Sequence, residues 1–461
     1  MIELSHLRGK IVAVLGLGKS GQASVKALIA SGAIVWAWDD NPDSLLQLDT
    51  LNLAPVNIAE CDWNDPVMLV ISPGIPSTFP TPHPAAERAR RAGVPIICDV
   101  ELLCTAHPDV PTLAITGTNG KSTTTALTAH ILAHAGVKTQ AGGNLGNPAL
   151  GFDPMEADDC FVLELSSYQL ELLQDASFDA AALLNITPDH LDRHGGMDGY
   201  IAAKRLVFAR AKGPKWAIIS GDDEPCHRIA EELAREGGRY IVMISVRETV
   251  PHGIYVRDGH LIDDLDGTAD AVFDLRQATH MPGLHNWQNI AFAYALCRAR
   301  GIDAAKIIDG IMSFPGLAHR QERLGAIDSI VFVNDSKATN AEATAKALSA
   351  YDNIYWILGG KPKEGGIDGL DVFYDRIRKA FLIGAASDAF AETLEGKLPF
   401  ESCGTLEIAA SRALACARAD GVAGAVVLLS PACASFDQYK SFEARGDHFR
   451  DLFARFERGQ A

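Results

Sequence analysis

Short, continuously apolar runs recur along the chain, and each run is followed by a helical pattern. They include IVAVLG at residue 11, LAITG at 113, FVLELS at 161, IVFVND at 330 and VVLLSP at 426. A strand that is apolar on both sides has both faces buried, which is typical of a parallel sheet covered by helices. The chain is therefore predicted to be an α/β protein built mostly from parallel sheets. Only the stretch from 246 to 280, with its Asp258-Gly259 turn, predicts an antiparallel hairpin.

The length of 461 residues is enough for about three domains. The segments HPDVP (107–111) and SFPGLAH (313–319) interrupt the series of strands and mark the two breaks between domains. The predicted domains are residues 1–108, 109–317 and 318–461.

The composition excludes several classes of protein. With 41 basic and 58 acidic residues the net charge is −17, which disfavours nucleic acid as a partner. The 9 cysteines form no CxxC pair, so we expect buried thiols in a reducing cytoplasm and no disulfide or zinc site. No apolar run reaches the length of about 18 residues that a membrane helix needs. We expect a cytoplasmic protein without membrane insertion.

The first glycine-rich segment is GLGKSG, residues 16–21, directly after a strand and before a helix. It fits the pattern GxGxxG, and Asp39 ends the next strand at the spacing expected for a ribose ligand. Such a loop lets a helix N-terminus approach a diphosphate, which both a dinucleotide and a UDP-sugar carry. A nicotinamide oxidoreductase is one interpretation. In another, the glycines only allow close packing of strand and helix.

The second glycine-rich segment, TGTNGKST at 116–123, is the stronger signal. Its backbone amides can hold phosphate, Lys121 can bridge the β- and γ-phosphates, and the Ser122 hydroxyl can bind magnesium. Ile115 stands where GxxxxGK[ST] has its first glycine, so the fit is incomplete. The segment predicts a nucleoside triphosphate site, and the alternative is a chance turn.

Two possible metal ligands follow the strands that come after this loop. Glu164 ends FVLE, and His190 lies in TPDHLDRHG just beyond AALLNIT. Oxygen ligands with one imidazole suit magnesium or manganese. Either residue taken alone is more often a surface acid or a loop histidine, but their position after these strands favours metal binding.

Lys204 lies on the apolar side of a predicted helix. In GYIAAKRLVFARAKG, steps of about 100° put Ile201, Val207, Phe208 and Ala211 on one stripe, with Lys204 in its middle. Burial favours the neutral amine, which can react with carbon dioxide to give a carbamate, a carboxylate-like metal ligand. The alternative is a lysine whose stem covers apolar surface while its amine reaches water.

A larger set of segments resembles the Mur ligase family, the ATP-dependent amide-forming enzymes of peptidoglycan synthesis. They are TGTNGKST, ELSSYQLE, TPDHLDRHG, YIAAK, MPGLHN at 281, AHRQE at 318, NDSKATN at 334, GGKPKEGG at 359 and SPACASFDQYKSFEARG at 430. The resemblance implies a Rossmann-like first domain, a P-loop ATPase-like central domain and a Rossmann-like third domain. It also implies that D-glutamate is added to UDP-N-acetylmuramoyl-L-alanine through an acyl phosphate by a monomer.

The resemblance also implies a set of site residues. For ATP they are Gly117, Thr118, Asn119, Gly120, Lys121, Ser122, Thr123, Asn286, Arg320 and Asp335. For the UDP-substrate they are Gly18, Ser20, Asp39, Ser72, Asn144, Ser166 and Gln169. For D-glutamate they are Lys337, Thr339, Lys363, Ser435, Phe436 and Phe442. For two magnesium ions they are Ser122, Glu164, His190 and Lys204 as its carbamate, and Lys121, Glu164, His190 and Lys204 would be catalytic.

The chain departs from the family pattern in the first domain. Lys19 replaces an apolar residue, and Asp40-Asn41 stands where a Thr-Arg pair is expected. The oxidoreductase interpretation leaves the second phosphate loop without a role. A nucleotide-dependent switch without ligase chemistry does not account for NDSKATN or the SPACAS segment.

Overall fold

The computed structural model describes residues 2–144, 146–209, 215–363 and 365–459. Two compact units divide the chain. Unit 1 comprises Met1–Ala278 and Asn286–Phe314, and unit 2 comprises Thr279–His285 and Pro315–Ala461. The predicted boundary between residues 108 and 109 lies within unit 1 and stays a prediction.

The first sheet of unit 1 is parallel, with strand order β2-β1-β3-β4. Its strands are β1 (Ile11–Leu15), β2 (Ile34–Trp38), β3 (Met68–Ile71) and β4 (Ile96–Ile97). Its helices are α1 (Lys19–Ala30), α2 (Pro42–Asp49), α3 (Pro84–Arg91) and α4 (Asp99–Ala106). Because β2 and β3 lie on opposite sides of β1, the loop after β1 opens at a point where ligands commonly bind in parallel sheets.

The second sheet of unit 1 has the order β13-β12-β11-β10-β9-β8-β5-β7-β6. Its strands are β5 (Thr112–Thr116), β6 (Thr139–Gly143), β7 (Cys160–Glu164), β8 (Ala180–Leu183), β9 (Lys215–Ser220), β10 (Arg239–Ser245), β11 (Ile254–Arg257), β12 (His260–Asp263) and β13 (Asp270–Asp274). Its helices are α5 (Lys121–His134), α6 (Ser167–Leu170), α7 (Leu191–His194), α8 (Met197–Arg205), α9 (Glu224–Glu236), α10 (Leu284–Ala299) and α11 (Ala304–Ser313). Strand β5 lies between β7 and β8, so the carboxyl ends of these three strands meet at one edge.

The two sheets of unit 1 share a hydrophobic core that runs from Ile2 to Leu233. Polar contacts reinforce this junction. The Glu101 carboxylate in α4 accepts hydrogen bonds from the backbone N–H groups of Gln174, Asp175 and Ala176 at 2.8, 2.8 and 3.2 Å. The buried acid therefore ties α4 of the first sheet to the loop that precedes β8.

Unit 2 contains a third sheet of order β14-β15-β19-β16-β17-β18, parallel except for the β14–β15 pair. Its strands are β14 (Glu322–Ile327), β15 (Ile330–Asn334), β16 (Ile354–Gly359), β17 (Ile377–Ile383), β18 (Phe400–Gly404) and β19 (Val426–Leu429). Its helices are α12 (Ala341–Ala350), α13 (Ser387–Leu394), α14 (Leu406–Asp420) and α15 (Phe442–Glu457). Alternate residues of β16 enter different cores, with Tyr355 and Ile357 on one face and Trp356 and Leu358 on the other. Two covered faces explain why the strand is continuously apolar.

The predicted α/β class with mostly parallel sheets is confirmed. The hairpin at Asp258-Gly259 is also confirmed, since β11 and β12 pair antiparallel across it. The nine cysteines are free thiols, and seven of them are buried. Within the described ranges, no helix is long and apolar enough to cross a membrane. Strands β6, β14 and β18 were not predicted.

Candidate functional site

The first glycine-rich loop, between β1 and α1, is held by side chains from neighbouring strands. Asp39 Oδ2 accepts a hydrogen bond from the Leu17 backbone N–H at 2.6 Å, and the Ser72 hydroxyl donates to the Gly16 carbonyl at 3.1 Å. A Cβ at Gly21 would lie 1.8 Å from the Gly16 carbonyl oxygen, so α1 packs directly on the loop. Asp39 and Ser72, predicted for the UDP-substrate, therefore shape this loop.

The other first-domain residues lie at the start of α1. Gly18 caps the helix with extended backbone and is exposed, Lys19 is exposed, and Ser20 is half-buried. Asp40 contacts the His83 imidazole at 2.9 Å. The polar and basic groups at this end of the sheet thus belong to a surface that faces solvent.

The second loop, between β5 and α5, is shaped by two glycines and a neighbouring asparagine. Gly117 and Gly120 have φ values of +151° and +85°, and a Cβ on Gly120 would lie 2.5 Å from Asn289 Oδ1. The backbone N–H groups of Thr118 and Asn119 donate to the carbonyl and side-chain oxygens of Asn185 at 2.9 and 2.8 Å. Only glycine fits both positions without strain.

Lys121 folds back over this loop. Its Nζ donates to the carbonyl oxygens of Gly117 and Thr118, at 2.8 Å each. Ser122 and Thr123 follow in the first turn of α5 and are 7% and 4% exposed. A cationic amine, a helix N-terminus and a hydroxyl are therefore gathered where a phosphate chain would bind.

Lys204, in α8, reaches the same loop from the other side. The residue is 2% exposed, and its Nζ donates to the Gly117 carbonyl at 2.9 Å and the Thr116 hydroxyl at 3.3 Å. Burial, and then the charge of Lys121, lower the pKa of the Lys204 amine to about 7. The amine is thus buried beside the phosphate loop, and it does not extend to water as in the alternative interpretation.

The predicted apolar stripe around Lys204 is present in the described part of the chain. Val207 and Phe208 are buried and Ile201 is half-buried. Ala211 lies outside the described residues. Helix α8 ends at Arg205, and a 3-10 turn carries Val207 and Phe208.

Glu164 ends β7 at the same sheet edge and is 2% exposed. Its Oε1 accepts a hydrogen bond from Asn144 Nδ2 at 2.8 Å, and its buried Oε2 has no hydrogen-bond partner among the described residues. A buried carboxylate oxygen without a donor is a ligand that suits a hard cation such as Mg²⁺.

His190 stands at the start of α7 with a left-handed backbone, φ +52°. Its side chain is 52% exposed, and its Nε2 lies 3.5 Å from Asp189 Oδ2. Across the described chain, no three His, Cys, Asp or Glu side chains form a group that could hold a metal ion. A metal held by Glu164 and His190 would therefore need a further ligand of another kind, such as the Ser122 hydroxyl or a modified Lys204.

Ser166 and Gln169 form a capping box at the start of α6. Gln169 Oε1 accepts from the Ser166 N–H at 3.0 Å and from its hydroxyl at 3.1 Å, and Ser166 Oγ accepts from the Gln169 N–H at 3.2 Å. Gln169 is 1% exposed. These bonds fix the turn that directly follows Glu164.

The remaining ATP residues fall in both units. Asn286 is buried in α10 of unit 1 and accepts a hydrogen bond from Asn289 Nδ2 at 3.3 Å. In unit 2, Asp335 accepts from the Gln321 N–H at 3.1 Å and the Ser430 hydroxyl at 2.8 Å. Burial raises the pKa of Asp335 to about 7, although these bonds and the Arg320 charge oppose the rise.

Unit 2 brings together part of the predicted glutamate set. Lys337 Nζ lies 5.6 Å from the centroid of the Phe442 ring. The Ser435 hydroxyl is buried and has no hydrogen-bond partner among the described residues. Thr339 is half-buried and Lys363 is exposed. Phe436 is 67% exposed.

Sequence reasoning missed Arg445, which joins the segments that carry these residues. The residue is 1% exposed. Its guanidinium donates to the Ser336 hydroxyl at 3.0 Å and to the carbonyl oxygens of Ser336 and Cys433 at 2.9 and 3.1 Å. Arg445 lies in the segment SFEARG (441–446), of which only Phe442 was predicted to belong to the glutamate site.

Comparison with known proteins gives consistent matches. The Mur ligase middle domain family matches residues 115–297. A UDP-N-acetylmuramoylalanine–D-glutamate ligase from Rhodospirillum rubrum is 52% identical over 464 residues, covering 98% of this chain and 96% of the relative. Another protein of that name, from Paramagnetospirillum magneticum, is 50% identical over 468 residues and covers 100% of both chains.

Solved structures share the fold. The UDP-N-acetylmuramate–alanine ligase MurC from Thermotoga maritima has a TM-score of 0.58 at 18% identity, covering 97% of this chain and 99% of the other. MurF from Acinetobacter baumannii has a TM-score of 0.57 at 17% identity, covering 99% and 93%. At such identities the likeness supports the three-sheet α/β architecture alone.

Proposed function

The chain belongs to the Mur ligase family, and we propose from this membership that it joins D-glutamate to UDP-N-acetylmuramoyl-L-alanine with cleavage of ATP to ADP and phosphate. The observation that carries the proposal is the cluster at the carboxyl ends of β5 and β7. There Lys121 and Lys204 both donate to the Gly117 carbonyl, and Glu164 ends the neighbouring strand. A phosphate loop and a buried acid side by side suit phosphoryl transfer to a carboxylate.

The ATP site of this proposal is the loop from Gly117 to Thr123, with Asn286, Arg320 and Asp335 for the nucleoside. Lys121 would leave the two carbonyl oxygens it now contacts and donate to the phosphates. Three donors on its ammonium group allow that exchange without loss of hydrogen bonds. The two glycines with positive φ keep the backbone N–H groups close to the ligand.

The proposed magnesium ligands are Ser122, Glu164, His190 and the carbamate of Lys204, and the unpartnered Oε2 of Glu164 fits this role. Bound Mg²⁺ would neutralise phosphate charge. Asn144 would hold the Glu164 carboxylate in place through its 2.8 Å hydrogen bond. The proposal assigns two ions to this set of ligands.

The carbamate proposal follows from the chemistry of a buried amine. With its pKa lowered to about 7, Lys204 presents a neutral nitrogen to carbon dioxide at physiological pH. A nitrogen–carbon bond forms and one proton leaves. The amine becomes an anionic oxygen ligand beside Glu164, and the positive charge next to Lys121 is removed.

D-glutamate would bind in unit 2. The ammonium groups of Lys337 and Lys363 can pair with its two carboxylates, and the buried Ser435 hydroxyl needs a partner that a carboxylate oxygen would supply. Phe442 lies against Lys337 and limits where that amine can point. Phe436 would cover the substrate methylenes only after moving from its exposed position.

The reaction has two covalent steps. A carboxylate oxygen of the UDP-substrate attacks the γ-phosphorus of ATP, ADP leaves, and an acyl phosphate forms. The neutral glutamate amine then attacks the carbonyl carbon, phosphate leaves, and the nitrogen loses a proton. Lys121 offsets the charge of the two anions in the first step, and water must be excluded between the steps.

We further propose that the enzyme acts as a cytoplasmic monomer on these small molecules. The UDP-substrate would bind beside Gly18, Ser20, Asp39 and Ser72, and its acyl end would reach Asn144, Ser166 and Gln169. The loop amides near α1 and the exposed Lys19 provide hydrogen-bond donors and positive charge for a diphosphate.

The experiment that tests this function is mass analysis of the product. Enzyme, ATP and UDP-N-acetylmuramoyl-L-alanine are incubated with D-glutamate, with L-glutamate or with neither. We expect one new UDP-dipeptide with D-glutamate, and phosphate release only when all three substrates are present. Phosphate release without a covalent product would indicate a nucleotide switch. Equal use of L-glutamate would overturn the enantiomer and leave the ligase chemistry.

A further inference from the structure

The His190 imidazole packs against an aromatic ring. Its centroid lies 5.3 Å from that of Tyr168, with an angle of 50° between the rings. The Asp189 carboxylate, at 3.5 Å, is too distant to fix the imidazole by a hydrogen bond. Half of the His190 side chain is exposed, and among the described residues Tyr168 is the ring that packs against it.

Tyr168 is itself held on other sides. The His194 ring stacks on it with centroids 5.4 Å apart and an angle of 28°. The Arg193 guanidinium carbon lies 5.1 Å from the Tyr168 centroid. Both partners are in α7, the helix that His190 begins, so the contacts tie the α6 turn to α7.

His194 cannot easily rotate away from this stack. Its side chain is 0% exposed, Nδ1 lies 3.1 Å from Glu171 Oε1, and Nε2 lies 2.9 Å from the Ser167 hydroxyl. Both ring nitrogens are thus paired, one with the Glu171 carboxylate and the other with the Ser167 hydroxyl. A rotation of the ring would break both hydrogen bonds, of which the one to Ser167 is buried.

We propose that Tyr168 is a positioning residue that holds the His190 imidazole in its metal-binding orientation, and that His194 and Arg193 lock Tyr168 for this role. The proposal rests on the assignment of His190 to magnesium in the proposed function. Metal-binding histidines usually receive their orientation from a hydrogen bond on the second ring nitrogen. In this protein, packing against the fixed Tyr168 ring would orient the His190 imidazole in place of such a hydrogen bond.

The test compares Tyr168→Leu, which removes the ring, with the matched control Tyr168→Phe, which keeps it. The first readout is a crystal structure of each metal-free enzyme. We expect an ordered His190 ring in the wild type and in Tyr168→Phe, and a rotated or disordered ring in Tyr168→Leu. The second readout is the Mg²⁺ concentration for half-maximal activity. It should rise about tenfold in Tyr168→Leu only, as is typical when support of a metal ligand is lost.

The Michaelis constant for glutamate serves as the control and should stay within twofold in all variants. A general loss of structure would raise it together with the Mg²⁺ requirement. Tyr168→Met replaces the leucine variant if that protein does not fold. An ordered His190 and an unchanged Mg²⁺ requirement in the ring-free variant would overturn the role of Tyr168. His190→Ala tests the metal role of His190 separately from the positioning role of Tyr168. An unchanged Mg²⁺ requirement in this variant would mean that His190 does not bind the metal, and it would overturn both roles.

Discussion

The two glycine-rich loops of unit 1 occupy equivalent places in their sheets and differ in the charged side chains that contact them. Each follows the first strand of its sheet in chain order, leads into a helix and is accompanied by a lysine at the start of that helix. At the first loop the Asp39 carboxylate, which follows β2, accepts a hydrogen bond from the Leu17 N–H, and Lys19 is exposed. In the second loop Lys121 folds onto two loop carbonyls, and Lys204 is buried on the other side.

This difference shows why similar glycine spacing does not give similar chemistry. Asp39 holds the backbone of the first loop through its hydrogen bond to the Leu17 N–H. The loop is therefore suited to bind a diphosphate through its remaining backbone N–H groups. The second loop is surrounded by two amines and a buried carboxylate, which are the groups that phosphoryl transfer requires. The oxidoreductase interpretation depended on the first loop alone and does not explain the second.

The largest expected effect separates the two loop lysines. Lys121→Ala should lower kcat by about 10²–10³-fold, because it removes a charge aimed at the transferring phosphoryl group. Lys19→Ala should leave kcat unchanged. Steady-state kinetics and titration of the UDP-substrate into both folded variants provide the measurement. Substantial turnover by Lys121→Ala would contradict the difference between the loops.

The buried amine beside the second loop gives the next prediction. Lys204→Ala should lose about 10²-fold in activity, since a metal ligand is removed. Acetate or formate should restore part of it by supplying the missing carboxylate oxygens. The rate is measured against acid concentration, with chloride at equal ionic strength as the control. Full activity without any additive would exclude the carbamate.

Asp39, which contacts the first loop, should affect binding of the UDP-substrate and not of ATP. Asp39→Ala removes the acceptor of the Leu17 N–H, and a hydrogen bond to a charged group contributes about 1.5–3 kcal/mol. We expect the Michaelis constant for the UDP-substrate to rise about tenfold while that for ATP stays the same. An equal rise for ATP would mean that the loop does not act separately from the phosphate loop.

The smallest effect on activity is expected at Asp99, in α4 at the junction of the two sheets, where a substitution should change stability. The residue is 2% exposed, so its carboxyl group is almost fully removed from water. Burial raises the pKa of Asp99 to about 6, above the value of about 3.9 in an unfolded chain. The native state then keeps a proton that the unfolded state releases between these pH values.

The free energy of unfolding should therefore contain a term that is present below about pH 4 and is lost as the pH rises to about 6. Asp99→Asn removes this term. Between pH 4.5 and 7 the free energy of unfolding, measured with urea, should fall by about 2 kcal/mol more in the wild type than in Asp99→Asn. Parallel curves would show that Asp99 is not buried as a neutral acid.

Most of the sheet architecture could be predicted from the sequence, because interior parallel strands are continuously apolar. The strands that were missed, β6, β14 and β18, all lie at sheet edges. An edge strand is covered on fewer sides, so its sequence can be polar or rich in glycine, as in TQAGG of β6. The pattern that revealed the central strands is absent there.

The site was predicted only in part for a related reason. Lys121 was identified from the glycine-rich segment that follows a strand, and Glu164 from its place at the end of a buried strand. Arg445 was not, since its importance comes from contacts with Ser336 and Cys433, and the first of these is 109 residues away in the chain. His194 was overlooked because its bond to Ser167 depends on how two short helices pack.

The central claim is that an acyl phosphate forms at the second loop, and transfer of isotopic oxygen tests it most directly. The substrate is UDP-N-acetylmuramoyl-L-alanine with ¹⁸O in both oxygens of the alanine carboxylate, and the released phosphate is analysed by mass spectrometry. Attack of that carboxylate on ATP predicts one ¹⁸O atom in each phosphate and one in the new amide. Unlabelled phosphate, formed together with the dipeptide, would contradict the account.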